Sequence, residues 1–203
     1  MIAIIDYDAG NIKSVEKALM FLGEKVVITR DKDVIMRADG VILPGVGAFG
    51  DAMEKLHSYE LVNVIHQYVA TGKPFLGICL GLQLLFESSE ESPGIEGLRL
   101  LKGKIIKIPT ESGVKVPHIG WNDLAYPNAG TLFEGIPEHS YVYFVHSYYL
   151  QADDEGIVKA TTEYGTHIHA SVEKDNVFGC QFHPEKSSET GMQILRNFIA
   201  ETK

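Results

Sequence analysis

Apolar and polar positions along this chain follow two rhythms. Residues Ile2–Ile5 form an apolar, β-branched run of the kind that fills a buried strand. From Asn11 the spacing lengthens. Ile12, Val15, Leu19 and Leu22 fall on one helical face, and Gly23 closes it. Residues 26–29 predict a second strand, and 41–43 a third, stopped by Pro44-Gly45. Leu61, Ile65, Tyr68 and Val69 form a helical stripe that ends at Thr71-Gly72. Residues 74–78 predict another buried strand, and 80–87 a helix. Strand and helix in alternation mean βαβ units, hence a parallel sheet covered on both faces.

The second half is different. Residues 104–108, 141–149, 156–163, 167–173 and 177–182 predict strands, several of them separated by turn-prone residues, which points to antiparallel sheet. A closing helix over 188–201 buries Ile194, Leu195, Phe198 and Ile199. No repeat, low-complexity tract or linker interrupts the chain. The expectation is one α/β domain over residues 1–203, mostly parallel, with an added antiparallel β-rich region.

Composition narrows the function classes. Apolar residues are 45% and charged residues 22%, an ordinary globular balance. A net charge of −9 repels phosphate backbones, so no nucleic-acid partner is expected. No apolar run approaches the roughly 20 residues of a membrane span. The first residues lack the basic and apolar regions of an export signal. Two cysteines, Cys79 and Cys180, make no disulfide framework and suit a reducing, cytoplasmic setting.

The chemistry centres on Gly77-Ile78-Cys79-Leu80-Gly81, which follows a buried strand and opens a helix. This has the form of a nucleophile elbow with cysteine at its apex. The flanking glycines make room for a sharp, strained turn. A helix N-terminus favours thiolate, and the Leu80 N–H is placed to donate to an oxyanion. The competing reading of Cys79 alone is a small buried hydrophobe. Its place beyond the carboxyl end of a strand, where open α/β sheets bind ligands, favours chemistry. Cys180 lies within a strand pattern and reads as core. A second glycine-rich loop, 44–50, also follows a strand. It lacks the Gly-Lys-Ser/Thr of a phosphate loop and reads either as a surface turn or as a source of oxyanion donors near Val46.

A thiol nucleophile needs a base, and the base an orienting group. Of eight histidines, His57 and His66 lie in helical patterns, and His167 and His169 share a strand face without a third metal ligand. His118, His139 and His146 lie among aromatic residues. His183 stands in Phe182-His183-Pro184-Glu185. An extended backbone there sets His183 and Glu185 on one side. Taken alone this is a surface ion pair; joined to the elbow it completes a Cys-His-Glu triad.

These segments together resemble the class I (triad) glutamine amidotransferases. The likeness extends to the branch that supplies imidazole glycerol phosphate synthases. It is carried by Asp6-Tyr7-Asp8-Ala9-Gly10-Asn11, Pro44-Gly45-Val46-Gly47-Ala48-Phe49, the elbow through Gln83, Pro117-His118-Ile119-Gly120-Trp121-Asn122, Tyr143-Phe144-Val145-His146-Ser147-Tyr148 and His183-Pro184-Glu185-Lys186-Ser187. Asp8 departs from the glycine common there. The resemblance implies a flavodoxin-like, doubly wound fold and glutamine hydrolysis without a cofactor or metal. It also implies ammonia transfer to a (β/α)8-barrel cyclase/synthase partner of histidine biosynthesis. By the same resemblance Gly47, Gln83, Glu91, Ser147 and Tyr148 bind glutamine, Val46 and Leu80 form the oxyanion hole, and Asn11, Trp121, Tyr143 and Lys186 face the partner. The alternatives are the glutaminase of another ammonia-channelling synthase, a stand-alone γ-glutamyl cysteine hydrolase, and a binding subunit without activity.

Overall fold

The computed structural model describes residues 1–8 and 10–203; Ala9, within the first of the segments above, lies outside the described residues. The first half runs β1 (Ile2–Ile5), α1 (Ile12–Phe21), β2 (Val26–Thr29), α2 (Lys32–Arg37), β3 (Gly40–Gly45), α3 (Phe49–Ser58), α4 (Leu61–Ala70), β4 (Phe75–Cys79) and α5 (Leu80–Leu84). The second half runs β5 (Ser88–Ser89), β6 (Gly103–Lys107), β7 (His118–Asp123), β8 (Tyr141–His146), β9 (Tyr148–Ala152), β10 (Val158–Glu163), β11 (His167–Lys174), β12 (Val177–Cys180) and α6 (Ser188–Glu201).

Ten strands make one sheet in the order β2-β1-β3-β4-β12-β11-β9-β6-β5, with β10 paired to β11. From β2 to β12 every pairing is parallel, and from β12 to β6 every pairing is antiparallel. The α/β expectation therefore holds, as does the change of character in the C-terminal half. Strands β7 and β8 form a separate antiparallel pair. Alternate residues of the parallel strands point to opposite faces. Ala3, Ile5, Val41 and Leu43 join the apolar faces of α3 and α4. Ile2, Ile4, Ile42 and Leu76 join those of α1 and α6. No helix among the described residues is long and apolar enough to cross a membrane.

Several boundaries depart from the periodic reading. Helix α2 is only six residues long, too short for a stripe, and is started by Asp31, whose side chain accepts from Val34 N at 3.0 Å. Helix α3 takes up the end of the segment read as a loop. Its first N–H groups are satisfied from far along the chain, Phe49 N by Glu91 at 2.8 Å and Gly50 N by Ser92 Oγ at 2.9 Å. Pro44-Gly45 continues β3 rather than stopping it. The predicted strand 141–149 divides at Ser147 between two sheets. Helix α5 ends at Leu84, short of the expected Glu87, because residues 97–101 occupy the next carbonyls: Leu98 N bonds Leu84 O at 2.8 Å and Leu100 N bonds Leu85 O at 2.9 Å.

The tightest packing lies where β3, β4 and α5 meet. A Cβ on Gly81 would stand 1.8 Å from the carbonyl oxygen of Leu43, and one on Gly77 would stand 2.6 Å from that of Gly81. Backbone cannot yield as a flexible side chain does. Gly81→Ala is expected to lower stability by roughly 2–4 kcal/mol, read as a fall in the urea midpoint at constant slope.

Candidate active site

Three neighbouring parallel strands deliver the candidate groups to one edge of the sheet. Strand β4 lies between β3 and β12, in register at Gly45↔Cys79 and Ile78↔Cys180. Cys79 leaves the carboxyl end of β4. The 46–48 loop leaves β3 on one side, and the segment 181–187 leaves β12 on the other. The fold thus brings together the candidate nucleophile and the candidate base, 104 residues apart in sequence.

Cys79 adopts φ 56 and ψ −111, a conformation unusual for a side-chain-bearing residue. Its sulfur lies 3.9 Å from the Val145 carbonyl oxygen and 3.8 Å from Gln181 Nε2. On its open side is a cavity of about 310 Å³ lined by Val46, Gly47, Leu80, Gln83, Glu91, His146, Ser147 and Tyr148 among others. Val46, Leu80 and all five residues implied in substrate binding therefore converge on one space. Gly47, at φ 101, takes the left-handed backbone that its lack of a Cβ permits. Tyr7 fixes the start of this loop by donating its hydroxyl to Pro44 O at 2.8 Å, in full burial.

His183 is 1% exposed and does not line the cavity. Its Nδ1 meets Glu185 Oε1 at 2.9 Å, and the Glu185 side chain is wholly buried. The pairing does not arise from an extended segment as anticipated. His183 is extended, but Pro184–Lys186 form one 3-10 turn that swings the carboxylate back under the ring. The His183 backbone is locked at both ends: its N–H donates to Tyr143 O at 3.0 Å, and Ser187 Oγ donates to its carbonyl at 2.6 Å. Burial alone would lower the imidazole pKa. The neighbouring Cys79 sulfur and the Glu185 carboxylate outweigh burial and raise it to about 10. These two neighbours thus favour the protonated form of the ring. Cys180 has no such partner. Burial pushes its thiol up to about 12, so it stays protonated core, as anticipated.

Asn11, Trp121, Tyr143 and Lys186 lie apart from the cavity. Trp121 is half exposed, with its indole edge against Tyr143, and Lys186 is exposed. Asn11 is turned inward, its Nδ2 donating to Glu185 Oε1 at 2.7 Å. Sequence reasoning missed that contact, together with Tyr7, Gln181 and Ser187. Only Gln181 had a legible signal, lying two residues before His183 in an extended run. His167 and His169 do share a face of β11, and no metal-holding cluster of three or more ligands occurs among the described residues.

A buried histidine pair braces the cavity wall. His146 Nδ1 donates to Tyr148 O at 2.9 Å, and His118 Nδ1 therefore donates to His146 Nε2 at 3.0 Å. The Tyr148 carbonyl also accepts from Gln83 Nε2 at 3.0 Å. His118 is sandwiched between Phe144 and Tyr164. Burial lowers the His146 pKa to about 3. The unfolded chain then takes up this proton first, so its contribution is complete above pH ~6.5 and is lost as pH falls toward 3. In urea titrations from pH 7 to pH 4, His146→Asn should lose stability less steeply than the unsubstituted chain, by up to about 1.4 kcal/mol per pH unit.

Comparison with known proteins bears on the whole chain. The family model "Glutamine amidotransferase class-I" matches residues 3–202. "Imidazole glycerol phosphate synthase subunit HisH" of Bacillus cereus (strain G9842) is 54% identical over 198 residues, covering 98% of this chain and 93% of that one. The protein of the same name from Aquifex aeolicus (strain VF5) is 51% identical over 196 residues, 96% and 94% of the two chains. Among solved structures, one described as a glutamine amidotransferase superposes with a TM-score of 0.78 at 19% identity, covering 100% and 99%. PurLQS from Thermotoga maritima superposes at 0.75 with 23% identity, covering 100% and 98%; at these identities the likeness concerns the fold.

Proposed function

Because this chain belongs to the class I glutamine amidotransferase family, we propose that it is the glutaminase subunit of an imidazole glycerol phosphate synthase, with residues 1–203 working as one domain in the cytoplasm. The observation that carries the reading is the buried Glu185–His183 pair beside a strained elbow cysteine that opens onto a cavity. Relatives that share half of all residues over nearly the full length are named as subunits, which favours partner-dependent action over a stand-alone hydrolase.

In the proposed reaction the Cys79 thiolate attacks the γ-carboxamide carbon of glutamine. Backbone N–H groups of Leu80 and of the loop at Val46 and Gly47 hold the oxyanion. The His183 imidazolium protonates the amide nitrogen, which departs as ammonia and leaves a glutamyl thioester. Neutral His183 then takes a proton from water, which attacks the thioester and releases glutamate. Glu185 keeps the imidazole oriented throughout and stays ionised. Glu91 already gives Oε2 to Phe49 N, so its Oε1 serves the substrate ammonium. Both Gln83 Nε2 hydrogens go to Tyr148 O and Gln181 Oε1, so Gln83 meets substrate through its carbonyl oxygen. Backbone groups at Ser147 and Tyr148 complete the site.

Ammonia that escapes to water is protonated and stops being a nucleophile, so a docked acceptor makes chemical sense. We assign that role to a (β/α)8-barrel synthase. Its seat is the outer face of β7 and β8, where Ile119, Trp121 and Tyr141 are 59%, 50% and 58% exposed, together with Tyr143 and Lys186. Exposed large apolar side chains gathered on one two-stranded ribbon are the composition of an interface centre.

Glutamate release should depend on the cognate synthase and be abolished by Cys79→Ala; full activity in that variant would refute the mechanism. Glu185→Gln should lower kcat by roughly 10⁴, since it forces the wrong imidazole tautomer. Trp121→Ala should weaken synthase binding by about 2 kcal/mol in calorimetry and leave the isolated fold intact.

A further inference from the structure

Asn11 occupies the position from which a helix is usually capped, and asparagine is among the residues best suited to that task. Its side chain makes no capping bond to α1. It reaches instead to Glu185, 174 residues away, where Nδ2 donates at 2.7 Å to the oxygen that also holds His183 Nδ1. Asn11 does this from the left-handed region, φ 69 and ψ 7, which asparagine tolerates better than most residues. A good cap has been forgone for a contact with the triad.

The approach to Asn11 is anchored as well. Asp8, also left-handed at φ 61, accepts from Arg30 Nη2 at 2.6 Å and from the Tyr59 hydroxyl. Arg30 lies 4.1 Å over the Tyr59 ring and also holds Asp6 at 3.1 Å. Lys55 Nζ donates to the Asp8 carbonyl at 3.1 Å. Two cations and a phenol thus hold the two acids that follow β1, Asp6 and Asp8.

We infer that Asn11 is a positioning residue of the triad: its amide holds the Glu185 carboxylate aimed at His183. This rests on the proposed glutaminase reading. An N–H donor favours the carboxylate over the carboxylic acid, the carboxylate favours imidazolium, and imidazolium favours the Cys79 thiolate. Loss of the donor should therefore be felt at the sulfur, which Asn11 does not touch.

The test uses the isolated full chain and the rate of Cys79 alkylation by iodoacetamide as a function of pH. Asn11→Gly keeps the left-handed backbone and removes only the amide. It should slow alkylation at neutral pH about tenfold, with the pH profile displaced. Asn11→Asp is nearly isosteric, replaces the donor by a second carboxylate, and should slow it further. With the synthase present, kcat should fall in both variants while KM for glutamine stays within about twofold. Urea melts establish that each variant is folded, and if one is not, the other decides. A folded variant that alkylates like the unsubstituted chain overturns the inference. If the unsubstituted chain makes no glutamate with its synthase, the glutaminase reading fails instead, whatever Asn11 does to the thiol.

Discussion

The backbone of Cys79 is the constraint on which the rest of the molecule depends. A residue at φ 56 and ψ −111 is held only where its surroundings leave no alternative. Here the surroundings are mostly backbone. Gly81 lies against Leu43 O, Gly77 against Gly81, and a Cβ on Gly45 would strike the Tyr7 hydroxyl and Leu80. Two strands and a helix are drawn together more closely than side chains permit. The turn can then raise the sulfur above the sheet edge with the Leu80 N–H beside it. Because α5 is only one and a half turns long, little of the thiolate's support comes from a macrodipole. Any electrostatic support for the sulfur has to come from groups close by, and His183 is one such neighbour.

That requirement explains an arrangement that is poor for stability. A fully buried carboxylate and a nearly buried imidazole cost several kcal/mol to desolvate, and an apolar pair would serve the core better. Among the described residues, neither Glu185 Oε2 nor His183 Nε2 has a hydrogen-bond partner. The fold tolerates this because Oε1 is doubly bound and the His183 backbone is locked by Tyr143 and Ser187. The two cysteines show the same logic from opposite sides. Cys180 is three residues before His183 yet lies in apolar core, where burial keeps its proton.

Much of this was legible in the sequence because it was local. The elbow glycines announce a close approach, the β-branched runs announce buried parallel strands, and His183 and Glu185 lie within one turn. What escaped was long-range. Helix α3 buries Phe49, Ala52, Met53 and Leu56 at helical spacing, but its start is satisfied by Glu91 and Ser92. Strand β7 has an exposed Ile119 and Trp121, so its outward pattern does not read as half-buried. The break at Ser147 is invisible because the residues on both sides of it are aromatic and apolar. No periodicity links Asn11 to Glu185; only the turn of the folded chain does.

The β7–β8 ribbon ties outer surface to inner chemistry. Its outward residues form the apolar face, and its inward residues Val142, Phe144 and His146 are buried. The same strand supplies Tyr143 O to the His183 N–H and Val145 O to the neighbourhood of the sulfur, and it ends in the residues that wall the cavity. A rigid strand cannot shift at one of these points and stay still at the others. A partner that seats on Trp121 and Tyr141 therefore bears at once on the base, the nucleophile and the substrate groups. The histidine pair sets how the load is carried. His118 stacks between Phe144 and Tyr164, and His146 passes the contact on to the Tyr148 carbonyl. A neutral pair joined by one shared proton is stiff in this way, and a doubly charged pair would push itself apart.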